Sequence, residues 1–204
     1  MLFRSYHIDF PKFYLPTVML DTLSKNLPII FISSLFSNNL VGLYSFALRI
    51  LSLPLLLIGT SVGQVFYQKF SENTHNIQSR KALLTKTWRH LALIGLVPMI
   101  ICFMYSAPIF AFVFGEEWRL AGEIAAILSP YLYAQFVFSP TSTVFIALKQ
   151  QNINLIFGFF VMTYRILVLW FGHHINNFMA ALQILVIVEI IEIFIYDYIL
   201  WKKL

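Results

Sequence analysis

Apolar residues fall into six long runs, at 13–36, 40–68, 90–113, 121–148, 152–172 and 178–201. Each meets the roughly 20 residues that a helix needs to cross the hydrocarbon core of a bilayer. The third, fifth and sixth runs are plain hydrophobic stretches. Asp21, Lys25 and Asn26 interrupt the first, Arg49 stands inside the second, and the fourth holds Pro130, Pro140 and a cluster of Ser139, Thr141, Ser142 and Thr143. The only long connection is 69–89, and its second half, RKALLTKTWRH, has helical spacing that predicts continuation straight into the third span. The pattern predicts an all-α polytopic membrane protein, with six transmembrane helices forming one unit over residues 1–204 and no soluble domain.

The basic residues test that count independently. With six spans, one side receives residues 1–12, 69–89, 149–151 and the C-terminal tail. These hold ten Lys/Arg: Arg4, Lys12, Lys69, Arg80, Lys81, Lys86, Arg89, Lys149, Lys202 and Lys203. The other side receives 37–39, 114–120 and 173–177, with Arg119 alone. Positive charge stays on the cytoplasmic side of short loops, so both termini are expected in the cytoplasm. Trp118, Trp170 and Trp201 fall at segment ends, where interfacial aromatics belong.

Composition agrees and closes off other classes. Charged residues are 11% and apolar residues 59% of the 204, against roughly 25% charged in soluble domains, and the mean hydropathy is +0.78. A soluble enzyme, a disordered chain and a disulfide-stapled secreted domain are excluded. The net charge of +5 is accounted for by the membrane-side bias, so no nucleic-acid partner is expected. The single cysteine, Cys102, lies in an apolar run and reads as a small buried hydrophobe. The opening MLFRSYHIDFPKFYLP lacks the apolar core and cleavage site of a signal peptide, which leaves insertion to the helices themselves.

Polar groups at membrane depth are costly and turn toward a bundle interior or a wet cavity. Thr17, Asp21, Ser24, Lys25 and Pro28 form one stripe of the first helix, with Asp21 and Lys25 four apart in the favourable order for pairing. Ser45, Arg49, Ser52, Gly59 and Gly63 share a stripe of the second, where Pro54 bends the helix. Gly59 and Gly63 make a GxxxG that reads as close internal packing. Arg49 lies about nine residues inside its helix, too deep to snorkel easily. It is suited either to bidentate contact with a phosphate or carboxylate or to a structural pair with an acid on another span. Arg165 is only about five residues from the outer interface and can snorkel there. Glu189, Glu192 and Tyr196 lie at i, i+3 and i+7 of the last span, where two carboxylates repel in low dielectric. One can carry a coupling proton, or both can pair with Lys or Arg nearby.

No catalytic arrangement emerges: there is no GxSxG, glycine-rich phosphate loop or HExxH. His173 and His174 would point about 100° apart on a helix, which does not suit a shared metal. The chain is therefore not expected to be an enzyme, and no metal or cofactor is expected.

Several stretches resemble a known family. YHIDFPKFYLP (Tyr6–Pro16), LDTLSKNLPIIFISSLFS, VGLYSFALRILSLPLLLIGTSVGQVFYQKF, FVFGEEWRLAG (Phe112–Gly122) and the Ser139–Gln151 stretch are similar to the C-terminal half of Wzx-type polysaccharide (O-antigen) flippases. These belong to the multidrug/oligosaccharidyl-lipid/polysaccharide exporter (MOP) superfamily, and the resemblance covers nearly the whole chain. It implies one lobe of a MATE-like, two-lobed carrier of twelve to fourteen helices around a cationic cavity. Such a carrier moves an undecaprenyl-pyrophosphate-linked oligosaccharide across the bacterial inner membrane by alternating access. On this reading Lys25, Arg49 and Arg165 are substrate-binding candidates, and Asp21, Glu189 and Glu192 are coupling-ion candidates. The partners are the lipid-linked oligosaccharide, membrane lipids, and either an N-terminal lobe or a second copy, because the chain starts where a second lobe would start. Two alternatives stand beside it. A drug or cation exporter of the same superfamily would favour an anionic cavity, and a membrane-embedded glycan-processing enzyme would need exposed carboxylates or histidines at a membrane surface.

Overall fold

The computed structural model describes the backbone of residues 9–72, 77–142 and 151–203, and the side chains of these except 9–18, 21, 151–155 and 203. Six α-helices follow one another: α1 (Asp9–Leu35), α2 (Asn38–Glu72), α3 (Ile77–Phe114), α4 (Arg119–Phe138), α5 (Gln151–His174) and α6 (Phe178–Lys203). Single 3₁₀ turns, Glu116–Trp118 and Ser139–Thr141, flank α4. Among the described residues there is no strand. This is an all-α polytopic membrane protein, and five stretches among the described residues are long and apolar enough to cross a membrane: Asn38–Glu72, Ile77–Phe114, Glu116–Thr141, Ile156–His174 and Phe178–Lys202. The first expected span, 13–36, coincides with α1 and is not among the five; most of its N-terminal half lies outside the described side chains.

Local chemistry sets the breaks. The Ser37 hydroxyl accepts the Leu40 amide at 3.2 Å and starts α2. Gly115, with φ +108°, ends α3 in a conformation that suits a residue without Cβ. The α5–α6 hairpin turns at Asn176, with φ +51°, while the Asn177 and Asn176 amides donate back to Gly172 O and His173 O at 3.1 and 3.0 Å. That pattern is a Schellman closure, and the Asn177 side chain then caps α6 by accepting the Ala180 amide at 3.0 Å.

α4 is the central element. More than half of the residues in its most apolar stretch are buried, against about a tenth of those in the corresponding stretch of α3, and it packs on α2, α3 and α6, while α1 lies against α2 and α5. The crossing with α3 is close because Gly122 faces Ala107, with the Ser106 hydroxyl donating to Gly122 O at 2.7 Å. The outer faces of α2, α3 and α5 present most of Leu57, Phe112 and Ile156 to the surroundings, as hydrocarbon-facing helices do. Gly59 and Gly63 pack against Pro140, the internal role expected for the GxxxG.

Two expectations change. The 69–89 connection is mostly helix rather than loop: α2 runs to Glu72 and α3 begins at Ile77. With 35 and 38 residues, these helices are about 52 and 57 Å long, well beyond a core of about 30 Å. The fourth span, expected over 121–148, is α-helical to Phe138 and then tightens into the 3₁₀ turn at Ser139–Thr141, where Pro140 cannot donate an amide. Residues 143–150, which include the end of that span, lie outside the described residues.

Candidate functional site

Polar side chains from five helices converge inside the bundle and line two clefts. The first, of about 550 Å³, runs along α2 from Ser52 through Gly59, Thr60 and Gln64 to Tyr67 and is closed by Gln135 and Ser139 of the α4 end. The second, of about 370 Å³, lies among α1, α4, α5 and α6 and is lined by Tyr131, Ser142, Arg165, Glu189, Glu192 and Asp197, among others. Lys25, Gln135 and Ser139 line both, so the two clefts meet at the α1–α4 boundary.

The sequence explains why α1 contributes here. Pro28 has no amide proton, so the Ser24 carbonyl four residues earlier lacks its helical donor. Arg165 supplies one: Nη1 donates to Ser24 O at 2.6 Å and to Ser24 Oγ at 3.0 Å. The rest of the guanidinium forms a bidentate pair with α6, Nε to Glu189 Oε1 at 2.7 Å and Nη2 to Glu189 Oε2 at 3.0 Å. Both residues are buried, at 7% and 5% exposure. One charge thus holds three helices, and a fork geometry of this kind is specific to arginine. The α4 break is held by Trp88 Nε1 donating to Thr141 Oγ1 at 2.9 Å, and in the middle of α4 Ser129 Oγ donates, also at 2.9 Å, to the Ala126 carbonyl that Pro130 leaves without a helical donor.

The sequence candidates are distributed unevenly. Arg165 does not snorkel; its head turns inward because the freed Ser24 carbonyl and the Glu189 carboxylate offer acceptors that the outer interface does not. Glu189 is its structural partner, whereas Glu192 lines the second cleft outside that pair. Lys25 stands where the clefts join. Arg49 is exposed and lines neither cleft, one turn beyond Ser52 on the same α2 stripe. The Asp21 side chain lies outside the described residues, so the expected Asp21–Lys25 pair does too. Asp197 was not singled out in the sequence, yet it is 4% exposed, lines the second cleft and leaves Oδ1 without a hydrogen-bond partner among the described residues. Its spacing of i+8 from Glu189 puts it on the same helix face. The Tyr164 hydroxyl is similarly unpartnered there. His173 meets Phe36 edge-on at 5.9 Å and His174 stacks on Trp170 at 6.0 Å, so the two rings serve aromatic contacts. Among the described residues no three His, Cys, Asp or Glu side chains are grouped to hold a metal.

The second cleft carries charge of both signs, Lys25 together with Glu192 and Asp197, beside the Arg165–Glu189 pair. Comparison with known proteins narrows the context. Over 146 residues, 71% of this chain, it is 26% identical to the teichuronic acid biosynthesis protein TuaB of Bacillus subtilis (strain 168). The match covers 30% of that protein, so the chain spans less than a third of this relative's length. No solved structure matches. Residues 7–123, more than half of the chain and including α1, α2, α3 and the start of α4, match the family described as polysaccharide biosynthesis protein. The chain belongs to the polysaccharide biosynthesis protein family.

Proposed function

We propose that the chain is one lobe of a bacterial inner-membrane carrier that translocates a lipid-linked (undecaprenyl-pyrophosphate) oligosaccharide for O-antigen, capsule or exopolysaccharide synthesis. The observation that carries this reading is the pair of clefts that meet at Lys25 and bring polar side chains together in their largely apolar walls. A glycan headgroup cannot cross hydrocarbon unaided, and a wet, hydrogen-bonding groove beside lipid-facing helices lets the polyprenyl tail stay in the bilayer while the head moves. Lys25 meets the diphosphate in this account. Gln64, Gln135 and Ser139 accept and donate to sugar hydroxyls, and Arg49 receives the headgroup further along the α2 stripe. Glu192 is the coupling carboxylate in preference to Glu189, whose charge is already committed to Arg165. Asp21 remains a second coupling candidate by its place on the α1 stripe.

Both clefts are open on one side, which an N-terminal lobe or a second copy would close. The carboxylates of the second cleft specifically favour one other reading, a cation exporter of the same superfamily. Complementation separates the two. Expressed with a first-lobe partner in a strain lacking its own flippase, the chain restores surface polysaccharide, and Lys25→Gln does not. Ethidium efflux without restored polysaccharide would select the exporter.

A further inference from the structure

We propose that the basic end of the bundle is a binding surface for anionic phospholipid, with the lipid phosphate held by Lys86 and Arg89 and its acyl chains lying along α3. The surface is independent of the transport reading. It is built where the ends of α2, α3 and α6 meet over an apolar plug of Phe66, Phe70, Leu84 and Leu200. Two basic side chains lock these ends together from outside: the Arg80 guanidinium lies 4.7 Å from the centre of the Phe70 ring, and the Lys81 ammonium 4.4 Å from that of Trp201. Lys69, Lys86, Arg89 and Lys202 are exposed around them. Glu72 is the one exposed acid among the described side chains of these helix ends, and it accepts a hydrogen bond from Gln68 at 3.1 Å.

The exposed stripe of α3 identifies what binds there. Lys86, Arg89 and His90 are exposed, and the same face continues as Leu93, Ile94 and Val97, exposed by 63%, 59% and 61%. Charge gives way to unbroken apolar surface within about one turn, about 5 Å. That is the step between phosphate and acyl chain in a bilayer leaflet. A soluble anion would use the charges and leave the stripe unused, whereas a phospholipid engages both. Each basic group at such a level adds attraction for anionic headgroups, and a cluster of this size at a membrane face is what recognises them.

Native mass spectrometry of the 204-residue chain, released from detergent micelles containing equal phosphatidylglycerol and phosphatidylcholine, tests the proposal. The wild-type chain should retain phosphatidylglycerol in preference to phosphatidylcholine. Lys86→Gln with Arg89→Gln should weaken that preference by about fivefold per charge removed. Lys86→Arg with Arg89→Lys should keep it, and Arg119→Gln at the start of α4, beyond the far end of α3, should leave it unchanged. Equal retention of both lipids by the wild type, or an undiminished preference in the double glutamine variant, would overturn the proposal. So would displacement of the lipid by millimolar inorganic phosphate, which would mark a soluble-anion site.

Discussion

At the scale of single residues, the Arg165 node is the point where backbone chemistry and charge depend on each other. Removing the guanidinium leaves two buried acceptors without donors, the Ser24 carbonyl and the Glu189 carboxylate. Breaking a buried pair by deleting one partner typically costs about 3–5 kcal/mol. Arg165→Ala should therefore lower the thermal transition of the detergent-solubilised protein sharply. Pro28→Ala in that background restores an amide for Ser24 and should recover about 1 kcal/mol, while the same change in the wild type, where Arg165 already serves the carbonyl, should recover less. A double-mutant cycle measures the difference. Equal effects of Pro28→Ala in both backgrounds would show that Arg165 does not replace the missing donor. The sequence pointed to Pro28 and Ser24 as one stripe and to Glu189 as a residue in need of a cation. It could not show that Arg165 was that cation. Residues 24, 165 and 189 are brought together only by tertiary packing, and a depth of five residues equally permits a side chain directed outward. Asp197 escaped for a related reason. Four residues from an interfacial tryptophan, an acid is ordinary, and only its shared face with Glu189 distinguishes it.

At the scale of elements, hydropathy marks the part of a helix that lies in lipid and nothing more. The runs at 40–68 and 90–113 fall within α2 and α3, but the helices continue past them, where Phe70, Leu84 and the partly buried Trp88 pack with Phe66 and Leu200. The polar cluster after Phe138 is visible in the sequence but reads as part of one continuous span, and neither the break nor its place at the edge of the first cleft was legible there. Helix approach distances were equally hidden, and glycines show them best. A Cβ on Gly122 would sit 2.6 Å from Ala107 Cα and from Ser106 O, both backbone atoms that cannot move without separating α3 from α4. Gly42, by contrast, has nothing within 4 Å. Gly122→Ala is expected to destabilise by about 1–3 kcal/mol through overpacking, and Gly42→Ala to stabilise by up to about 1 kcal/mol through helix propensity. Thermal unfolding followed by fluorescence-detected size exclusion reads both signs. A neutral Gly122→Ala would refute the close crossing.

At the scale of the whole molecule, the ten-to-one distribution of Lys and Arg in the connections sets the expected orientation. In a background with Cys102→Ala, a cysteine at Glu117 should react with an impermeant reagent from the periplasm, and one at Lys86 only after the membrane is permeabilised. The reverse pattern would invert the topology. The wider claim is that this lobe works by lining a path whose opposite wall is another lobe. The spanning character and the polar stripes were legible in the chain from their spacing alone. That the stripes meet at Lys25, and that Arg49 stands outside both clefts, required the packed helices. The most direct test is transport of a fluorescent polyprenyl-diphosphate sugar into proteoliposomes, using the purified chain fractionated as monomer, as homodimer and as a complex with a first lobe. The account predicts transport by a two-lobed form, a loss of at least tenfold with Lys25→Gln, and none by the monomer. Transport by the monomer, or two-lobed transport that is indifferent to Lys25→Gln, would contradict it.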